Sequence, residues 1–267
     1  MTGLELYLLF LLLGAVVGFM AGLLGIGGGG IMVPILTSIF LMQGFGAEKV
    51  VHLALGTSMA SIVITSIASI RAHHNKDAVM WSVVRKMAPG IIIGSFVATF
   101  IAAKLNSSVL ATIFAVFMAY VSLQMFIDKK PKPSRQLGGQ PVLFFVGSGI
   151  GAISALVSIG GGSLTVPYLT WHNVDIKKAI GTSAAMGLPI SVAGTIGYVI
   201  NGWQQVPQHE LTYGFIYVPG VVLISCISFL TAPLGARLSH KLPVPMLKKI
   251  FSVLLIVLSI RMLLLVV

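Results

Sequence analysis

The chain has 267 residues, of which 57% are hydrophobic and only 9% charged, against roughly a quarter charged in a soluble domain. Such a sequence lacks the polar surface a water-exposed fold needs, and it reads as an all-α polytopic membrane protein. The net charge of +11 would point to nucleic acid in a soluble protein. Here the cations fall in short loops between apolar runs, where they anchor topology. The implied partners are therefore the lipid bilayer and a small-molecule substrate, not nucleic acid.

Eight apolar runs of about 18 residues or more are long enough to cross a bilayer. In chain order they are Leu4–Leu24, Val50–Ile70, Met80–Ala103, Val109–Ile127, Pro141–Val157, Ile176–Ile200, Leu211–Leu234 and Met246–Val267. The first lacks the basic n-region of a secretory signal and belongs to the fold. Two shorter apolar runs, Ile31–Met42 and Leu164–Trp171, each follow a glycine cluster. The segment Asp128-Lys129-Lys130-Pro131-Lys132-Pro133-Ser134-Arg135 has the charges and prolines of a linker. It divides the chain into a first unit (1–127), a basic cytoplasmic linker (128–140) and a second unit (141–267).

The two units match in order. Gly25-Ile26-Gly27-Gly28-Gly29-Gly30 with Pro34 corresponds to Ser158-Ile159-Gly160-Gly161-Gly162-Ser163 with Pro167. Gly56-Thr57-Ser58 corresponds to Gly181-Thr182-Ser183, and Pro89-Gly90 to Pro219-Gly220. This pattern predicts two internal repeats, each with four long transmembrane helices and one glycine-broken short segment. The total is eight crossings if the short segments re-enter and ten if they cross. Positive charge separates the options. With eight crossings the Lys and Arg residues divide nine to eight; with ten, fourteen lie inside and only Lys49, Lys104 and Arg261 outside. The bias favours ten crossings, inverted repeats and both termini outside. Length opposes it, since Leu164–Trp171 covers only about 12 Å as helix against a hydrocarbon core of about 30 Å.

Glycine clusters suit positive-φ turns and close backbone approach. The helices that follow them direct unpaired N–H groups and a positive dipole end at one spot, a combination that binds anions. The candidate substrate-binding set is therefore Gly27, Gly28, Gly29, Gly30, Gly160, Gly161, Gly162 and Ser163, joined by the hydroxyl residues Thr57, Ser58, Thr182 and Ser183. Pro34, Pro167 and Pro189 shape the helices around it. His52 and Lys177, at matching positions before Gly56 and Gly181, are weaker candidates for the mouths of the site. Each has a plainer reading. The glycines also serve helix packing, the hydroxyls bond back to helix carbonyls, and His52 and Lys177 suit interfacial positions at helix starts. His73 and His74 read as loop residues, and Cys226 as a small buried thiol.

Enzyme chemistry has little support. There is no GxxxxGK[ST] phosphate loop and no His, Cys and acid set at metal-ligand spacing, so no catalytic residue, metal or cofactor is assigned. With the duplicated motifs in view, the chain resembles the TauE/SafE sulfite exporter family of membrane permeases. The resemblance rests on Gly25–Gly29 with Pro34 and Gly56-Thr57-Ser58, then Ile159–Gly162 with Pro167 and Gly181-Thr182-Ser183. It implies a cytoplasmic-membrane secondary transporter for sulfite, sulfonates or related sulfur-containing anions, with roughly eight helices. The expected mechanism is alternating access between the repeats. The alternatives are an anion channel of the same architecture and a non-transport membrane assembly factor.

Overall fold

The structure is a computed structural model that describes residues 3–24, 28–127, 136–203, 205, 211–238 and 244–266. Five helices precede the 128–135 segment: α1 (Gly3–Leu24), α2 (Gly29–Met42), α3 (Val50–His74), α4 (Trp81–Lys104) and α5 (Ser107–Ile127). Five follow it: α6 (Gln140–Val157), α7 (Gly162–Trp171), α8 (Ile176–Gly202), α9 (Val218–Leu238) and α10 (Val244–Val266). Seven of them have the length and composition of membrane spans within the described residues. Large apolar side chains such as Leu8, Leu12, Val116, Phe145 and Leu264 are exposed on their outer faces, as lipid-facing positions must be. The chain is a multi-pass membrane protein.

Three sequence expectations need correction. The run from Leu211 does not begin as helix. Its first residues form an antiparallel hairpin of β1 (Thr212–Tyr213) and β2 (Ile216–Tyr217), turned at Gly214 with φ +57°. Pro219 consequently sits at the start of α9 rather than inside it, where its fixed φ and missing N–H cost the helix nothing. At the end of α3 the helix continues through Arg71 to His74, and His73 is buried, so these histidines are not loop residues. Cys226 is exposed because it lies on the outward stripe of α9 with Val222, Phe229 and Leu230.

The helices are locked together across the two halves of the chain. Helix α1 packs along α9 and α4 along α6, while α3 meets α8 and α5 meets α10. The first two seams are built on glycine, whose missing side chain lets helix backbones approach closely. Gly14, Gly18 and Gly22 of α1 lie against the backbones of Ile224, Ser228 and Ala232 in that order. Gly90 and Gly94 of α4 lie against Phe144 and Ser148 of α6, which returns Gly147 and Gly151 against Met87 and Ile91.

These pairs also fix direction. Helix α1 runs parallel to α9, and α4 parallel to α6. Helix α3 also runs parallel to α9: Thr57 meets Tyr217 at one end, and Thr65 shares a 2.7 Å hydroxyl hydrogen bond with Ser228 further along. Helix α8 runs parallel to α4, with Thr182 beside Met80 and Asn201 beside Thr99, and antiparallel to α3, where Met59 meets Gly194 and Ser66 meets Gly187.

Filling a tight seam forces helices apart, a distortion that costs about 1–3 kcal/mol or more. Gly18→Leu and Gly94→Leu are therefore expected to lower the thermal unfolding midpoint of the detergent-purified protein by several degrees. Gly149→Leu, at a glycine with open space beside it, should leave the midpoint unchanged.

Candidate functional site

Both glycine clusters break the chain as their sequence dictates. Gly28 and Gly161 occupy the left-handed region, with φ +76° and +79°, and form the N-caps of α2 and α7. Their carbonyls accept the first helical bonds, from Ile31 and Met32 and from Leu164 and Thr165. Pro34 and Pro167 lie inside the short helices that follow. Helix geometry leaves the N–H groups of Gly29, Gly30, Gly162 and Ser163 without partners in their own helices. Each break lies beside the middle of a long helix. Gly29 adjoins Ile62, the central residue of α3, and Gly160 adjoins Gly187, close to the centre of α8.

The two breaks meet, but they are not equivalent. The backbone carbonyl of Ser158, itself left-handed with φ 50°, presses directly against Gly29. The Ser158 hydroxyl donates to the carbonyl of Leu55 at 3.3 Å. Protein thus covers the start of α2, while Gly30 turns toward Met118 and Leu255. The second break stays open on one side. Gly160 borders a cavity of about 10 Å³ shared with Ala21, Thr65, Ser66, Ser69, Ala184 and Gly187, room for one water-sized group. The hydroxyl of Ser69, on a residue 4% exposed, has no hydrogen-bond partner there. Ser163 and Thr165, at the start of α7, likewise carry buried, unpartnered hydroxyls.

The motif hydroxyls divide by role. Thr57 accepts a hydrogen bond from the Tyr217 N–H at 3.0 Å, and Thr182 accepts one from the Met80 N–H at 3.0 Å. Beside them Gly56 and Gly181 make room for the backbone carbonyls of Phe215 and Ala78. Each Gly-Thr pair therefore docks the loop that leads into the fourth helix of the other half, α9 for Thr57 and α4 for Thr182. Ser183 bonds back to the Ile180 carbonyl, whereas Ser58 is buried without a partner. Pro189 lies in the middle of α8.

His52 and Lys177 are not brought to the breaks. His52 is fully buried, its Nε2 3.0 Å from the Ala102 carbonyl and its ring stacked on Phe215. Lys177 is exposed at the start of α8, where the Asp175 carboxylate caps the N–H groups of residues 177 and 178. Gly27 lies outside the described residues.

Sequence reasoning missed Thr65, Ser66, Ser69 and Gly187. A signal was available: Thr57, Ser58, Ser61, Thr65, Ser66 and Ser69 fall at helical spacing along one stretch of α3, too many hydroxyls for a helix packed only by apolar contacts.

Comparison with known proteins identifies the family. The family described as Sulfite exporter TauE/SafE matches residues 10–262, and the chain belongs to that family. A probable membrane transporter protein of Haemophilus influenzae is 38% identical over 256 residues, covering 96% of this chain and 97% of its own length. A probable membrane transporter protein of Methanocaldococcus jannaschii is 27% identical over 96% of this chain and 95% of its own. One from Bacillus subtilis, YunE, is 23% identical over 95% of this chain and 96% of its own. No solved structure matches the chain.

Removing a hydroxyl that satisfies a buried N–H costs about 1–3 kcal/mol. Thr57→Val and Thr182→Val should each destabilise the purified protein by that amount in thermal unfolding. The serine replacements, which keep the acceptor, should stay near wild type; equal stability of the valine variants would contradict the docking role.

Proposed function

We propose that this membrane transporter of the TauE/SafE family is a secondary transporter for small anions. Its substrates would be sulfite, sulfonates or related sulfur-containing anions, moved across the cytoplasmic membrane by alternating access between two inverted repeats. The observation that carries the reading is the second glycine break. Gly160 borders a cavity lined also by Thr65, Ser66 and Ser69, the Ser69 hydroxyl buried without a partner, and α7 begins two residues later. Backbone N–H groups, a helix N-terminus and neutral hydroxyls stabilise an anion without a fixed cation, so an anion held there can also leave. Gly161, Gly162 and Ser163 would supply the backbone side of this site; Gly28, Gly29 and Gly30 would join it only in a state in which the Ser158 carbonyl no longer covers the start of α2.

Helix directions support the inverted, ten-crossing arrangement. Helices α1 and α3 both run parallel to α9, so α2 must bring the chain back between them. Helices α6 and α8 both run parallel to α4, so α7 does the same. At 14 and 10 residues, α2 and α7 are about 21 and 15 Å long. The glycine turn at one end and the loop at the other complete each path inside protein, the setting in which irregular backbone is tolerated at membrane depth.

Sulfite flux into proteoliposomes tests the reading. It is expected to saturate and to be accelerated by unlabelled sulfite on the opposite side; flux that stays linear and shows no exchange would indicate a pore. Gly187→Val, which places an isopropyl group into the cavity against Gly160 and Ser66, should cut flux by at least about tenfold, the effect of some 1.4 kcal/mol. A Gly187→Val protein that is monodisperse and carries wild-type flux would overturn the site.

A further inference from the structure

The seam between α3 and α9 opens into a second, larger cavity of about 440 Å³. Three cationic side chains line it, Arg71 from the last turn of α3, Lys76 from the turn that follows and Arg237 from the end of α9, together with Asn75; among the described residues no carboxylate lines it. Ala68 lines this large cavity, and the next residue of α3, Ser69, lines the small inner one. The corresponding seam on the opposite side of the molecule, between α4 and α8, is shut. There the Thr99 side chain fills the space beside Gly197, and Asn201 Nδ2 donates to the Gly197 carbonyl at 2.7 Å and to the Thr99 hydroxyl at 3.4 Å.

We infer that Arg71, Lys76 and Arg237 form an anion-collecting vestibule, on the face that positive charge assigns to the cytoplasm, through which a small oxyanion reaches the Ser69 hydroxyl and the Gly160 break. The chemistry fits that role. Arginine guanidinium groups pair with the oxygens of planar or tetrahedral oxyanions through two parallel N–H donors. A cleft of one sign with apolar walls, here Ala68, Phe229 and Pro233, focuses its field and raises the local concentration of counter-ions. The cations lie at the mouth, and none of the described residues lining the small inner cavity is charged. An anion is thus drawn in by charge and handed to neutral donors from which it is readily released. This inference rests on the transporter reading for its substrate, but the vestibule has a test of its own.

The test uses the full-length protein with its single cysteine removed (Cys226→Ser) and a thiol introduced by Ser69→Cys, assayed in inside-out membrane vesicles. Ala68→Cys gives a parallel reporter in the vestibule wall should the first variant fold poorly. Two methanethiosulfonate reagents of similar size are compared, one carrying an ethylsulfonate and one an ethyltrimethylammonium group. The anionic reagent is expected to react about tenfold faster or more, and added salt should narrow the gap by screening. Arg71→Gln with Arg237→Gln should bring the ratio, taken relative to that of a free thiol in solution, close to one, whereas Arg71→Lys with Arg237→Lys should preserve it. Any change in thiolate reactivity cancels in the ratio. Equal rates with both arginines present, or equally fast labelling at position 69 from the external face, would overturn the vestibule. Charge-selective labelling without sulfite flux would uphold it and sink the substrate reading; flux without charge selectivity would do the reverse.

Discussion

Backbone groups freed when a helix breaks within a membrane cannot face lipid, where each unmet N–H or C=O costs several kcal/mol. The architecture follows from covering two such breaks. The start of α2 is closed by the carbonyl of Ser158, which belongs to the break of the other half. The break before α7 is enclosed by Gly187 of α8 and by Ser66 of α3. The breaks are also set against the longest helices of each half, of 25 and 27 residues, whose centres give them the deepest protein surroundings. Glycine takes the left-handed caps at Gly28 and Gly161 at least cost, and at Gly29 the foreign carbonyl leaves no room for a side chain.

The same constraint explains why neither half is self-sufficient. The first helix of each half is seated on the fourth helix of the other, through glycine seams that leave no room for a side chain. The loop before each fourth helix is held by the Gly-Thr pair of the opposite half, through Thr57 to Tyr217 and Thr182 to Met80. Glycine and threonine thus do across the two halves what apolar side chains do in a water-soluble core. Lipid gives no hydrophobic drive to bring the helices together, so backbone proximity and hydrogen bonds supply the association.

Much of this was legible in the sequence. The positions of the eight long helices came from apolar length, and the left-handed breaks from clustered glycine. What was not legible depended on partners distant in the chain. Nothing local to Gly56-Thr57 distinguishes a hydroxyl that caps a loop 160 residues away from one that meets an anion. His52 resembled an interfacial side chain until Phe215, from a hairpin hidden within an apolar run, was found stacked upon it. That hairpin escaped because Leu211–Tyr217 is as apolar as the helix that follows, and only Gly214 marks the turn. Cys226 was misjudged because an apolar run names the segment and not the face; its neighbours Val222 and Phe229 fix the outward stripe.

The difference between the two sides of the molecule has a sequence component that conformation alone does not erase. Four, eight and twelve residues after Thr57, α3 carries Ser61, Thr65 and Ser69; at the same distances from Thr182, α8 carries Met186, Ile190 and Gly194. At these positions the hydroxyls are confined to α3, while α8 carries its own at Ser183, Ser191 and Thr195. Beside Gly160 the α3 residues Thr65 and Ser69 line a small cavity. On the α8 side the Met59 sulfur packs against Gly194, and Ile190 packs against Gly161. The duplicated motifs set two breaks, each beside the middle of a long helix, and the residues between the motifs place hydroxyl-bearing side chains of α3 beside the second.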